Sequence, residues 1–75
     1  MSQQLYDAFC ENVKARMTQL GITRTQLAAQ LGVTSSFVSQ ILNGHRRPGL
    51  DSLDAFAKAL KTQPSELIRF FQKTA

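Results

Sequence analysis

Hydroxyl and amide side chains are concentrated in one short segment near the middle of the chain. Thr34, Ser35 and Ser36 are consecutive, and Gln40 follows four residues after Ser36. If the segment is helical, residues four apart lie on the same face. A glutamine amide can form two hydrogen bonds with adenine in the major groove of DNA, whereas serine and threonine hydroxyls accept several partners. The segment therefore predicts hydrogen bonding to base edges, and its residue types leave the base preference open.

The fixed charges around this segment are all positive. No Asp or Glu lies between Glu11 and Asp51, although the chain has five acidic residues and a formal net charge of +4. The cations within this acid-free window are Lys14, Arg16, Arg24, Arg46 and Arg47. Such one-sided placement attracts phosphates and makes association with a polyanion fast and salt-sensitive. The window therefore points to DNA.

The composition argues against several other kinds of site. The single cysteine, Cys10, cannot form an internal disulfide, and with the single histidine, His45, it cannot make a structural zinc site. There is no nucleophile–base pair at a sensible spacing and no glycine-rich phosphate loop, so we expect no enzyme, no cofactor and no metal. No apolar run approaches the ~20 residues that span a bilayer, and residues 1–4 contain no basic leader. We therefore expect a cytoplasmic protein that does not bind a membrane.

Five helices can be predicted from apolar periodicity and from cap residues. They cover about residues 3–20, 24–31, 35–42, 50–61 and 64–72. Thr23 and Gln26 form a capping box for the second helix, and Thr34 is the N-cap of the third. Pro64 suits the first position of the fifth helix. With 75 residues and 43% hydrophobic content, the chain predicts one all-α domain, residues 1–75, whose core consists of packed helices.

The second and third predicted helices meet the requirements of a groove-reading pair. The major groove, about 12 Å wide, admits one helix, while a second helix can lie across it and contact the backbone. Gly32 permits the tight turn between the two helices, and Ala28 and Ala29 allow them to approach closely.

The ordered pattern of the chain resembles the Cro/CI-repressor type of helix-turn-helix protein, the XRE family. The resemblance rests on LAAQLGVTSSFVSQILNG at residues 27–44, on the following Arg-Arg-Pro, and on LDAFAKAL at residues 53–60. The resemblance covers about residues 20–68. The family includes small phage repressors and restriction–modification controller proteins, so the resemblance also implies a bacterial or phage origin. It implies a compact five-helix lambda-repressor-like domain, with its helix-turn-helix at about 23–43, that binds operator DNA as a homodimer and regulates transcription.

Site residues follow from the same resemblance, position by position. The base readers that it implies are Thr34, Ser35, Ser36 and Gln40. The contacts to the DNA backbone that it implies are Thr23, Arg24, Ser39, Asn43, His45, Arg46 and Arg47.

Two positions depart from the family pattern. The family commonly has Gln where Arg24 stands, so Arg24 is expected to strengthen contact with phosphate or guanine. The family commonly has Glu where Leu42 stands, paired with a basic residue at the position of Arg16. That ion pair cannot form here, and we expect Arg16 to be free for solvent or DNA.

Several side chains keep two interpretations. Phe37 is either a core residue or a contact at the DNA edge, and Cys10 is expected to be a half-buried helix residue without a redox role. The fifth helix carries more large apolar residues than one narrow face can hold. Either all of them pack in the core or, as we favour, a subset forms a two-fold dimer contact with residues of helices 4 and 5. The predicted interface residues are Leu50, Leu53, Ile68, Phe70 and Phe71.

The main hypothesis from the sequence is therefore a dimeric, sequence-specific regulator on a pseudo-palindromic operator. The alternative is an antitoxin-type module that binds a toxin as well as its own operator, although few residues lie outside the five helices to wrap such a partner. Contact with RNA polymerase would use Asp51 and Asp54, the clustered acids of the chain. RNA binding is less favoured because an aromatic stacking surface is missing.

Overall fold

Five helices make up most of residues 2–69, the part of the chain that this computed structural model describes. They are α1 (Gln3–Leu20), α2 (Arg24–Leu31), α3 (Ser35–Leu42), α4 (Leu50–Ala59) and α5 (Pro64–Leu67). No strand occurs within these residues. The predicted all-α, five-helix architecture is confirmed, and the bounds of α1, α2 and α3 are those that the sequence predicted.

Local sequence determines where the central helices begin and end. Thr23 Oγ1 accepts a hydrogen bond from Gln26 N at 3.1 Å, and Gln26 Oε1 accepts one from Thr23 N at 2.9 Å, which completes the predicted capping box. Thr34 Oγ1 accepts from a backbone N–H in the first turn of α3 at 3.1 Å. Gly21 and Gly32 end α1 and α2 with φ of 68° and 72°, a left-handed conformation that glycine adopts without strain.

One hydrophobic core lies among the helices and includes side chains from all five. The rings of Phe9 in α1 and Phe56 in α4 meet edge to face, with centroids 5.4 Å apart. Leu27 of α2, Ile41 of α3 and Leu67 of α5 are buried beside them. The buried face of α3 fixes the position of this helix, so that its opposite face can be presented to a partner.

The last two helices are shorter than the sequence predicted. α4 ends at Ala59 rather than at Lys61, which adopts a left-handed φ of 58°. α5 ends at Leu67, whereas the prediction extended it to about residue 72. Asn12 Nδ2 donates to the carbonyl oxygens of Leu67 at 2.8 Å and Arg69 at 2.6 Å, so a side chain of α1 satisfies the carbonyls where the chain leaves the helix. Residues 70–72 of the predicted helix lie outside the described residues.

The prediction for Arg16 is wrong. Arg16 Nε donates to Leu60 O at 2.9 Å, and its Nη2 donates to Lys61 O at 3.1 Å. These carbonyls lie at the C-terminal end of α4, where the helix dipole favours a cation. Arg16 therefore joins α1 to the end of α4 and is not free for DNA. Leu42, in place of an acidic partner, is buried in the core.

Candidate nucleic-acid interface

α3 has two faces of opposite character. Val38, Ile41 and Leu42 are buried. Ser35, Ser36 and Gln40 are exposed. The exposed side chains are hydrogen-bonding groups at the start and the middle of the helix, while the buried ones fix it on the core. The structure thus presents these three predicted base readers together on one exposed surface.

Thr34 is the N-cap of α3 as well as a predicted base reader. Its side chain is exposed but already accepts the N-cap hydrogen bond of α3. A hydroxyl that accepts one hydrogen bond keeps its own proton for donation. Thr34 can therefore still donate to an acceptor on DNA while it holds the first turn of the helix.

Arg24, at the first position of α2, reaches across the turn to α3. Its Nη1 donates to Ser39 Oγ at 3.1 Å, and both side chains are half-buried. Two residues predicted separately as backbone contacts are thus in direct contact. Thr23, the N-cap of α2, is exposed beside them. The unpaired amide groups and the dipole of a helix N-terminus favour an anion at this end of α2.

An open groove of about 400 Å³ lies beside the start of α2. Lys14 and Thr18 of α1 line it together with Thr23 and Arg24, and Leu42 contributes an apolar side chain. Lys14 therefore adds a cation next to the N-terminus of α2. Lys14 is one of the cations of the acid-free window, but we did not predict it as a site residue. Packing of α1 against the other helices decides which of its residues come close to α2, and the sequence does not show this.

The segment between α3 and α4, residues 43–49, contains the remaining predicted backbone contacts. Asn43, His45, Arg46 and Arg47 are all exposed. Gly44 has a φ of 87°, which redirects the chain after the helix. The backbone amides of His45 and Arg46 then both donate to Gln40 O, at 2.9 and 3.2 Å. We call residues 45–47 the basic loop. It folds back against the end of α3 instead of extending into solvent.

Arg46 lies over an aromatic ring of α3. Its guanidinium carbon is 5.0 Å from the centroid of the Phe37 ring. Phe37 itself is half-buried and packs against the core. Of the two interpretations of Phe37, the structure shows the core contact, and it adds the contact with Arg46, which the sequence did not reveal.

Arg47 lies over a ring that belongs to α1. Its guanidinium carbon is 5.4 Å from the centroid of the Tyr6 ring, and its Nη2 donates to Gln3 Oε1 at 2.8 Å. The Tyr6 hydroxyl is hydrogen-bonded to Ile41 O and lies 3.0 Å from Arg46 O. Burial raises the pKa of Tyr6, which keeps the hydroxyl in its neutral, donating form. Tyr6 therefore connects α1 to the end of α3 and to the basic loop.

Tyr6 is a second site residue that the sequence did not predict. The spacing of Leu5, Phe9 and Val13 at steps of four predicts one apolar stripe on α1 that includes Leu5, but Leu5 is half-buried, whereas Tyr6 is buried. Cys10, one turn beyond Tyr6, is buried in the core, whereas the sequence predicted a half-buried residue. Its thiol donates to Ile41 O at 3.5 Å, and burial raises the pKa of the thiol. The signal for this surface of α1 was the i, i+4 pair of Tyr6 and Cys10.

The predicted dimer residues occupy different environments. Leu50, at the start of α4, is 84% exposed, whereas Leu53, one turn later, is only 8% exposed and packs in the core of its own chain. Ile68 is half-buried against the same core. Phe70 and Phe71 lie outside the described residues. Among the three described members of this set, Leu50 therefore offers the most apolar surface to a partner.

Residues 2–69 contain no group of three or more His, Cys, Asp or Glu side chains placed to hold a metal ion. Within the same residues, no helix is long and apolar enough to cross a membrane.

Solved structures similar to this chain include a transcription factor and a controller protein. A hypothetical transcription factor, NHTF, from Neisseria superimposes with a TM-score of 0.83 over 92% of this chain and 82% of that chain. Its sequence identity of 20% makes this a likeness of fold alone. The restriction-modification controller protein C.AhdI from Aeromonas hydrophila superimposes with a TM-score of 0.77 at 27% identity, over 83% of this chain and 94% of that chain.

A search of curated proteins gave no match. The sequence model of the helix-turn-helix family, in contrast, matches residues 13–67, from the middle of α1 to the end of α5. That range contains the capped α2, the Gly32 turn and the exposed face of α3. The chain belongs to the helix-turn-helix family of DNA-binding proteins, of the Cro/CI-repressor or XRE type.

Proposed function

We propose that the protein is a sequence-specific transcriptional regulator that binds operator DNA with α3 in the major groove. The observation that carries this proposal is the exposed row of hydrogen-bonding side chains on α3, with Arg24 beside the helix and Arg46 and Arg47 directly after it. The acid-free window supports it, because no carboxylate between residues 11 and 51 would repel a phosphate. The buried face of α3 supports it as well, because it holds the reading side chains on a rigid support.

Base reading is assigned to Thr34, Ser35, Ser36 and Gln40. The three hydroxyl residues lie at the N-terminal end of α3, the end that helix-turn-helix proteins direct at base edges. Gln40 lies one turn after Ser36 and is exposed. Its amide can both donate to and accept from adenine, so Gln40 is expected to set the strongest base preference.

Contacts with the DNA backbone are assigned to two groups of residues. Thr23 and Arg24 lie at the N-terminus of α2, where Lys14 adds a further cation, and Ser39 of α3 accepts a hydrogen bond from Arg24. The second group follows α3 in the chain and consists of Asn43, His45, Arg46 and Arg47. Arg24 contacts Ser39 and Arg46 contacts Phe37, so both groups adjoin the helix that is proposed to enter the groove.

We further propose that the chain, residues 1–75, acts as one DNA-binding unit and binds as a homodimer in the cytoplasm, where DNA is accessible. The 84% exposed Leu50 supports an apolar contact at the start of α4, and Ile68 lies at the end of α5. Phe70 and Phe71 would extend this contact, and Leu53 would add little because it is buried. A two-fold dimer places its reading helices roughly 34 Å apart on a pseudo-palindromic site.

Selection of bound fragments from random duplex DNA tests this function. The expected result is one enriched motif with two inverted half-sites about one helical turn apart, and an affinity that decreases steeply with salt. An enriched single half-site would contradict the dimer but not the regulator. Equal recovery of all sequences would contradict the sequence-specific regulator itself.

A further inference from the structure

Each of the two arginines in the basic loop lies over an aromatic ring, and the two rings come from different helices. Arg46 lies 5.0 Å from the ring centroid of Phe37 in α3, and Arg47 lies 5.4 Å from that of Tyr6 in α1. Both distances are within the range in which a guanidinium is attracted by a ring face. Adjacent arginines in a surface loop repel each other and are usually solvated. Here each guanidinium lies over its own aromatic ring, which gives it a fixed place.

The backbone of the basic loop is held as firmly as its side chains. The amides of His45 and Arg46 donate to Gln40 O, and the Tyr6 hydroxyl lies 3.0 Å from Arg46 O. The Tyr6 side chain is 2% exposed, so it cannot move without opening the core. The loop is therefore fixed to α3 by its own amides and to α1 by Tyr6.

We propose that Tyr6 and Phe37 are positioning residues that order Arg46 and Arg47 before DNA binds. The inference rests on the proposed function and assigns these two aromatic side chains a part in it. Long side chains that must be immobilised on binding lose rotamer freedom, which weakens affinity. Contact with a ring leaves N–H donors of the guanidinium available for phosphate oxygens. An arginine ordered in the free protein thus binds a phosphate without that loss.

A double-mutant cycle between Phe37 and Arg46 tests the first pair. Phe37→Leu keeps an apolar side chain against the core but removes the ring. We expect a roughly two- to fivefold loss of affinity, equal on the selected operator and on an unrelated duplex, because Arg46 contacts backbone. In an Arg46→Ala background the same substitution should have no further effect.

Three outcomes of this cycle would overturn the proposal. A loss that persists in the Arg46→Ala background would show that Phe37 acts through the fold. A loss confined to the operator would show that Phe37 itself contacts a base. Unchanged affinity would show that ring contact has no effect on binding. Lys58→Ala, which removes a cation paired with Asp54 on α4 at 3.1 Å, is the matched control for loss of charge.

The order of the arginine side chains can be measured without DNA, by NMR relaxation of their Nε–Hε groups. We expect Arg46 to become more mobile in Phe37→Leu and Arg47 in Tyr6→Leu, while Arg24, bonded to Ser39, stays unchanged. Tyr6→Phe keeps the ring and is expected to leave Arg47 ordered. If Tyr6→Leu does not fold, the Arg46 measurement decides alone.

Equal mobility of Arg46 in the wild type and in Phe37→Leu would contradict the inference. The relaxation measurement also separates the two proposals. If the wild type binds no duplex, the proposed function fails. If it binds DNA but its arginines are mobile in the free protein, the function stands and the positioning role fails.

Discussion

Three cations beside α3, Arg24, Arg46 and Arg47, differ from the exposed face of α3 in how their side chains are held; we call them the flanking cations. Arg24, at the start of α2, is hydrogen-bonded to Ser39, and Arg46 and Arg47 of the basic loop lie over aromatic rings. Ser35, Ser36 and Gln40 are exposed on α3. The flanking cations are held by contacts with other side chains, whereas the hydrogen-bonding side chains face solvent. We propose that the flanking cations determine where DNA lies and that the exposed face determines which sequence is bound.

The largest effect is expected from truncating Ile41, because this residue supports both the exposed face of α3 and the basic loop. Its side chain is completely buried on the inner face of α3, and its carbonyl oxygen accepts a hydrogen bond from the Tyr6 hydroxyl. Ile41→Ala should lower the free energy of unfolding by about 2–5 kcal/mol, a large part of the stability of a small domain. Chemical denaturation measures this change, with Lys58→Ala as a control expected to stay within about 0.5 kcal/mol of wild type. A small loss for Ile41→Ala would mean that the core does not fix α3.

The next effect concerns the exposed face alone. Gln40→Ala should remove about 1–3 kcal/mol of discrimination between the right and the wrong base at one base pair of each half-site. Affinity for unrelated DNA should stay unchanged. Competition binding with single-base variants of the selected site measures this pattern. Gln63→Ala, a glutamine removed far along the chain at the start of α5, is the matched control. A loss that is the same at every position would place Gln40 with the backbone contacts.

A third prediction concerns Arg16, which is neither one of the flanking cations nor part of the exposed face of α3. Arg16→Met removes the hydrogen bonds to Leu60 O and Lys61 O and should lower stability by about 1–2 kcal/mol, a value reduced because the side chain is half-exposed. The salt dependence of DNA binding should stay unchanged, since Arg16 contacts the end of α4. A reduced salt dependence with unchanged stability would instead make Arg16 a phosphate contact.

The smallest effect tests one of the flanking cations. Arg47→Ala should weaken binding to all duplexes alike, by roughly fivefold at physiological salt, and reduce the slope of log affinity against log salt by about 1. Fluorescence anisotropy on operator and unrelated duplexes, at several salt concentrations, measures both quantities. A loss on the operator alone would make Arg47 a base reader and would remove the distinction between the flanking cations and the exposed face.

The helix-turn-helix could be predicted from the sequence because its signals are local. The Thr23 and Gln26 capping box spans four residues, and Thr34 and Gly32 act on their immediate neighbours. The exposed face of α3 followed from the periodicity of Val38 and Ile41. These features need no knowledge of how distant segments pack.

The support of the site could not be predicted, because its contacts join residues far apart in sequence. Tyr6 meets Ile41 and Arg46, Arg16 meets the end of α4, and Asn12 satisfies carbonyls of residues 67 and 69. The periodicity of α1 also favoured Leu5 as the buried residue, whereas Tyr6 is the more buried of the two. Such choices depend on the angle between helices, which a single sequence does not specify.

The central claim is that the exposed face of α3 reads sequence while the flanking cations bind the DNA backbone. The most direct measurement is the ratio of affinity for the selected operator to affinity for unrelated duplex, compared among wild type, Gln40→Ala and Arg47→Ala. We predict a ratio that falls roughly 5- to 150-fold per half-site in Gln40→Ala and stays at the wild-type value in Arg47→Ala. Equal changes of the ratio in both variants, or a fall in Arg47→Ala alone, would contradict this claim.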